Sequence, residues 1–193
     1  MWPWGHLAVG YLLCSLWIRS RYQRPPGPVI ALALAVGTQF PDLIDKPLAW
    51  HLGVLPSGRT GAHSLLIAVP LIIGLVVLLD RAERRPLGLW FGVGYLAHVF
   101  SDGLYAALDG RYGELGYLLW PITSLPNYEE SAGILAHFAA AELSPRIVGE
   151  FGLFALAAFV WVADGLPGLR LLGRWIRRGV QFINSTAVGR SPE

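Results

Sequence analysis

Chemistry in this chain starts from two residues, His98 and Asp102, set four apart inside an apolar stretch (86–106). An ionised side chain at the centre of a membrane helix costs on the order of 2.5–3.5 kcal/mol on insertion scales, so its presence there calls for a function. At i and i+4 the two share one helix face, a turn apart. An imidazole and a carboxylate at that spacing can bind one metal ion, as two histidines do on zincin helices. Similar groups recur: His6 lies in the apolar stretch 4–18, Asp42 and Asp45 close 28–40, His63 opens 63–79, and Glu150 sits in 147–163. Asp42 and His63 would complete a four-ligand nitrogen and oxygen shell with His98 and Asp102. His6, sharing Asp102, could hold a second ion ~3.5–4 Å away, the separation used in two-metal phosphoesterases. Zinc suits such imidazole-rich donors, although manganese and iron are compatible with them. Asp45, about one turn from Asp42, could orient a ligating imidazole or act as a general base. Arg59, four residues before His63, could clamp an anionic substrate.

Each residue also has a plainer reading. A lone histidine near a membrane interface serves as an amphipathic anchor, His98 with Asp102 can be a pair internal to one helix, and Asp42 can be a loop residue after Pro41. His51, beside Trp50, reads as an interfacial loop residue, and His137 as structural. Glu150 could approach the site or sit at head-group level. Cys14, among apolar neighbours, reads as packing.

The elements that must bring these groups together are apolar. The chain has 193 residues, of which 54% are hydrophobic and 15% charged, against about 25% charged in soluble domains. Mean hydropathy is +0.49, and eight Trp, seven Tyr and eight Phe supply the aromatic load of membrane interfaces. These figures argue against a soluble globular domain, a disordered chain and a collagen-like fibre, and a single cysteine rules out an intrachain disulfide. A net charge of +2 gives no reason to expect a nucleic-acid partner. The five apolar stretches predict an all-α, polytopic bundle of about five membrane helices plus interfacial helices. Stretches 63–79, 86–106 and 147–163 reach the length a span needs, and 4–18 and 28–40 are short, a helical pair that could be half-buried, tilted or extended by its neighbours. The N-terminus lacks the basic region of a secretory signal, so the first stretch is expected to be retained.

Eleven of the fifteen Lys and Arg fall in 19–26, 80–86 and the tail after Ala163. By the positive-inside rule this places the N-terminus outside and the C-terminus in the cytoplasm of a cell (inner or plasma) membrane. His6, Asp42, Asp45 and His63 then lie at outer helix ends. His98 and Asp102 lie ~18 and ~24 Å along a core ~30 Å thick. The charge rule used no His or Asp, so this convergence near the outer face is independent of it. Asn127–Leu143 reads as a further helix at the outer surface. Arg170, Arg174, Arg177 and Arg178 share one face of a basic amphipathic helix against the inner leaflet. The expected division is a membrane-embedded domain, 1–165, and a basic tail, 166–193.

Five short motifs occur in order: Gly5-His6; Phe40-Pro41-Asp42-Leu43-Ile44-Asp45; Arg59-Thr60-Gly61-Ala62-His63-Ser64; His98-Val99-Phe100-Ser101-Asp102; and Leu119-Trp120-Pro121. Over residues 5–121 this resembles the YdjM-like inner-membrane metal-dependent hydrolases. Gly58 stands where that pattern carries a histidine before the arginine, and Ala62 where it carries threonine. The ligand order is also similar to zinc-dependent phospholipase C, which implies phosphodiester hydrolysis by a metal-activated water. The third-ion ligands of that group have no match, since Ala141 follows His137 by four and Glu142 is off by one. The expectation is therefore a membrane-bound metal-dependent hydrolase holding one or two zinc ions, with membrane lipid as partner and a lipid or other phosphoester as substrate. Two alternatives stand beside it: a non-catalytic protein with a structural metal site or an ion-handling transporter, and a haem protein using His6 and His98.

Overall fold

The computed structural model describes residues 1–125, 139 and 143–188. Among them the regular elements are helical and no strand forms. The helices are α1 (Pro3–Tyr22), α2 (Pro28–Trp50), α3 (Leu65–Arg81), α4 (Arg85–Asp102), α5 (Leu104–Leu108), α6 (Pro145–Ala163) and α7 (Leu169–Val188). A 3-10 segment, Tyr112–Leu119, follows α5. Local chemistry sets their starts. Proline occupies the first turn of α1, α2, α4 and α6, where its missing N–H costs nothing. Ser64 caps α3 by accepting from Leu66 N–H at 3.2 Å, and Ser144 caps α6 by accepting from Ile147 N–H at 3.3 Å.

The two short stretches are extended by their neighbours: 4–18 lies in a 20-residue helix, and 28–40 in a 23-residue helix that runs through Pro41 and Pro47 to Trp50. Prolines are tolerated in such helices because neighbouring groups take up the freed backbone. Asp42 and Asp45 are therefore both helical, and Asp42 is not a loop residue after Pro41. The stretch 86–106 instead breaks at Gly103, so α4 ends at Asp102. Among the described residues, two helices are long and apolar enough to cross a membrane, Pro28–Trp50 and Pro145–Ala163. The surface helix expected over Asn127–Leu143 falls almost wholly outside the described residues, as does His137. In the tail a helix does form, with Arg174, Arg177 and Arg178 exposed beside the exposed Leu172, Trp175 and Ile176.

The most intimate packing is α2 on α4, with α3 also against α4 and α1 against α6, α2 and α4. Two glycines permit the α2–α4 approach. A Cβ on Gly37 would lie 2.1 Å from the carbonyl oxygen of Phe91, and one on Gly94 would lie 2.4 Å from that of Leu34. Small residues at such crossings let membrane helices pack by close backbone contact. Around this crossing, Phe91, Tyr95, Val99 and Tyr117 form one apolar core, and Tyr11, Cys14, Ile18, Ala31 and Leu34 form another. The antiparallel order gathers the start of α1, the ends of α2 and α4, the connection before α3 and the start of α6 at one end of the bundle.

At the opposite end, the carboxylate of Asp164 accepts from Tyr11 O–H and Ser15 O–H, each at 2.7 Å. It also accepts from Arg19 Nε at 2.7 Å and from Arg19 Nη2. This knot ties α1 to the C-terminus of α6.

Candidate metal centre

The gathered end of the bundle holds a knot of carboxylates and imidazoles. Asp42, near the end of α2, His63, in the connection before α3, and His98 and Asp102, in the last turns of α4, are all buried. Each offers one ligand atom, and the four atoms lie within 4.8 Å of one another.

The ring orientations follow from their outer hydrogen bonds. His98 Nδ1 lies 2.7 Å from the Thr38 carbonyl oxygen, which can only accept, so Nδ1 carries the proton. His63 Nδ1 donates to Asp45 Oδ2 at 2.8 Å. That carboxylate also accepts the backbone N–H groups of Ala62 (2.7 Å) and His63 (3.1 Å), so Asp45 fixes both the ring and the segment carrying it. With both Nδ1 positions committed, His63 Nε2 and His98 Nε2 face one another at 3.0 Å. Asp42 Oδ1 stands 3.6 and 3.7 Å from those two nitrogens, is buried, and has no hydrogen-bond partner. Asp102 Oδ2 stands 3.5 and 3.9 Å from the same two.

Four acceptors turned toward one point repel unless a cation lies between them. A proton on His63 is one such cation: burial alone would lower its pKa, but hydrogen bonding to Asp102, Asp42 and Asp45 holds it up at about 10. Donor chemistry and spacing also fit a metal: ligands about 2.1 Å from a tetrahedral zinc ion are about 3.4 Å apart, and the distances above bracket that value. The Asp45–His63 pair and the Thr38–His98 bond are the outer contacts that orient ligating histidines in metal sites.

The seven residues given a metal or catalytic role from the sequence meet in this network, although not as equals. Asp42, His63, His98 and Asp102 converge. His6 stacks on His98 with ring centroids 3.7 Å apart, and its Nδ1 bonds Ser101 Oγ at 2.8 Å. Its Nε2 lies 3.2 Å from Asp102 Oδ1 and 3.0 Å from the Met1 carbonyl oxygen, while the Met1 amino group lies 2.6 Å from Asp102 Oδ1. Asp45 stands behind His63, and Arg59 Nε approaches Asp102 Oδ2 at 3.1 Å with over a third of its side chain exposed. Glu150 does not reach the ligands, and His51 is exposed at the end of α2.

Sequence reasoning missed three participants. Lys46 Nζ lies 2.5 Å from Asp42 Oδ2, a contact legible in the i, i+4 spacing. Ser101, inside the His98–Asp102 motif, receives the His6 ring and donates to the His98 carbonyl at 3.0 Å. The Thr38 carbonyl left no side-chain signal. The Leu119-Trp120-Pro121 motif packs beside the site, since Ser64 O–H donates to the Trp120 carbonyl at 2.6 Å.

The model of the YdjM inner membrane protein family matches residues 1–167. No curated protein and no solved structure matches the chain. The match spans most of the chain and every residue of the knot, so the chain belongs to the YdjM inner membrane protein family.

Proposed function

From that membership and from the chemistry of the knot, we propose that this protein is a membrane-embedded metal-dependent hydrolase acting on a phosphoester or another lipid-head-group bond. One observation carries the reading: the two histidine Nε2 atoms meet at 3.0 Å, each ring anchored through its other nitrogen, beside an unpartnered Asp42 oxygen. In this reading Asp42, His63, His98 and Asp102 hold a divalent ion, zinc by donor type, and His6 with Asp102 holds a second. Such an ion supplies Lewis acidity toward a phosphoryl or carbonyl oxygen and lowers the pKa of a nearby water toward ~7. The likeness of the ligand order to zinc-dependent phospholipase C supports the phosphoester class.

The chain's own groups then divide the work. Of the two roles open to Asp45, orientation fits: its carboxylate is fully buried and occupied by three donors, which leaves it poorly placed to take a proton. Arg59 is exposed enough to meet a substrate, and its forked donors match a phosphate. Lys46, at the other metal-facing carboxylate, adds a second cation. We place the N-terminus outside, the C-terminus in the cytoplasm and the site near the outer face, with five crossings formed by α1, α2, α3, α4 and α6. The arginine-rich connections 19–26 and 80–86 and the tail, all away from the site, support that orientation.

Burial of all four ligands favours one competitor, a closed structural metal site. Elemental analysis of the detergent-purified protein, beside His63→Ala and His98→Ala variants and a phospholipid hydrolysis assay, separates the two. A hydrolase loses metal and turnover together in both variants. Metal without turnover in the parent chain indicates the structural site, and a metal-free parent that hydrolyses lipid refutes the mechanism.

A further inference from the structure

Glu150 on α6 is a buried carboxylate that the metal centre leaves unused, with the residue only 3% exposed. Its Oε2 accepts the Trp2 backbone N–H at 2.8 Å, and its Oε1 accepts the Tyr105 hydroxyl at 3.2 Å. The Trp2 carbonyl in turn accepts from Gly5 N–H (2.9 Å) and His6 N–H (3.1 Å), building the first turn of α1. That turn carries His6, whose ring sits between Ser101 and Asp102. Gly5 admits the carboxylate, because a Cβ there would lie 2.7 Å from Glu150 Oε2. Beside this contact Trp2 stacks on Trp4, and Trp4 on Phe151, each pair with centroids 5.0 Å apart. Stacked rings hold the start of α1 against α6 but tolerate sliding. A hydrogen bond from a charged acceptor to one N–H fixes the register.

We propose that Glu150 is a positioning residue: by holding the Trp2 N–H it sets the first turn of α1 and so the separation of His6 from Asp102. This rests on the reading of His6 as a metal ligand. Zinc affinity of the full chain in detergent, measured by competition with a chromophoric chelator, tests it. Glu150→Ala should weaken zinc binding about 10–100-fold, the range for groups that orient metal ligands. Glu150→Asp, which keeps the buried charge but withdraws it by one methylene, should give a loss of the same kind. Glu150→Gln, whose amide oxygen still accepts from Trp2, should restore most of the affinity. In a His6→Ala background Glu150→Ala should add nothing, because the effect passes through His6. Undiminished affinity in Glu150→Ala, or an equal further loss in the His6→Ala background, overturns the proposal. If His6→Ala itself leaves zinc binding unchanged, the role of His6 as ligand fails instead. Glu150 is then judged by hydrogen exchange at the Trp2, Gly5 and His6 amides, which Glu150→Ala should accelerate and whose constancy would refute it.

Discussion

The bundle buries charge at both ends, and the two knots differ in kind. Asp164 receives two hydroxyls and a guanidinium, so every lone pair facing inward has a donor and the Arg19 charge cancels its own. Tyr11, Ser15 and Arg19 stand at i, i+4 and i+8 on α1, one face of one helix serving one carboxylate. The Asp42–His63–His98–Asp102 knot is built from three elements, and although Lys46, Arg59 and the Met1 amino group pair its carboxylates from outside, acceptors crowd its centre. Two imidazole nitrogens confront each other, and a buried carboxylate oxygen has no partner. Burial of charge alone marks either a staple or a site. The donor count separates them: a balanced knot holds helices together, and an acceptor-rich knot holds a cation.

That contrast can be broken by experiment. The largest expected effect is on the staple. Asp164→Ala should cost about 3 kcal/mol, the lower end for breaking a buried pair, because the half-exposed Arg19 regains water. Thermal unfolding in detergent should report this while elemental analysis finds metal content unchanged. Loss of metal in that variant would show the two ends to be one unit. The opposite signature is expected of Asp45→Asn. It should lower zinc affinity about 10–100-fold, equivalent to about 1.4–2.7 kcal/mol, since the amide no longer offers two acceptor oxygens to Ala62 and His63. Chelator competition measures it, and unaltered affinity would remove Asp45 from the centre. The smallest effect sharpens the comparison: Tyr11→Phe deletes one of the staple's donors and should cost about 0.6–1.7 kcal/mol, the range for hydrogen bonds between membrane helices. No change in melting would mean that the Tyr11 hydroxyl adds nothing to the staple.

How much of this was legible in the chain follows from what each contact is made of. His98 and Asp102 could be paired from i, i+4 spacing, and so could Asp42 and Lys46, although the second pair went unremarked. How far α2 runs past residue 40 stayed open, because packing against α4 is what carries the helix through Pro41 and Pro47. The role of Asp45 stayed divided between base and orienting group, because only the fold shows its carboxylate filled by Ala62 and His63. Glu150 stayed undecided for the same reason: its partner is a backbone N–H 148 positions away.

Residue type and periodicity, which are local, determined that the chain is helical and apolar, that it carries imidazoles and carboxylates at helix ends, and which ones share a face. Tertiary structure decided which lone pairs meet. The backbone contact at Gly37 and Gly94 sets α2 against α4, and the Thr38 carbonyl and Asp45 turn two rings until their Nε2 atoms face one point. A ring's direction depends on partners distant in sequence, often backbone atoms that every residue type shares, and that is why spacing alone leaves it open.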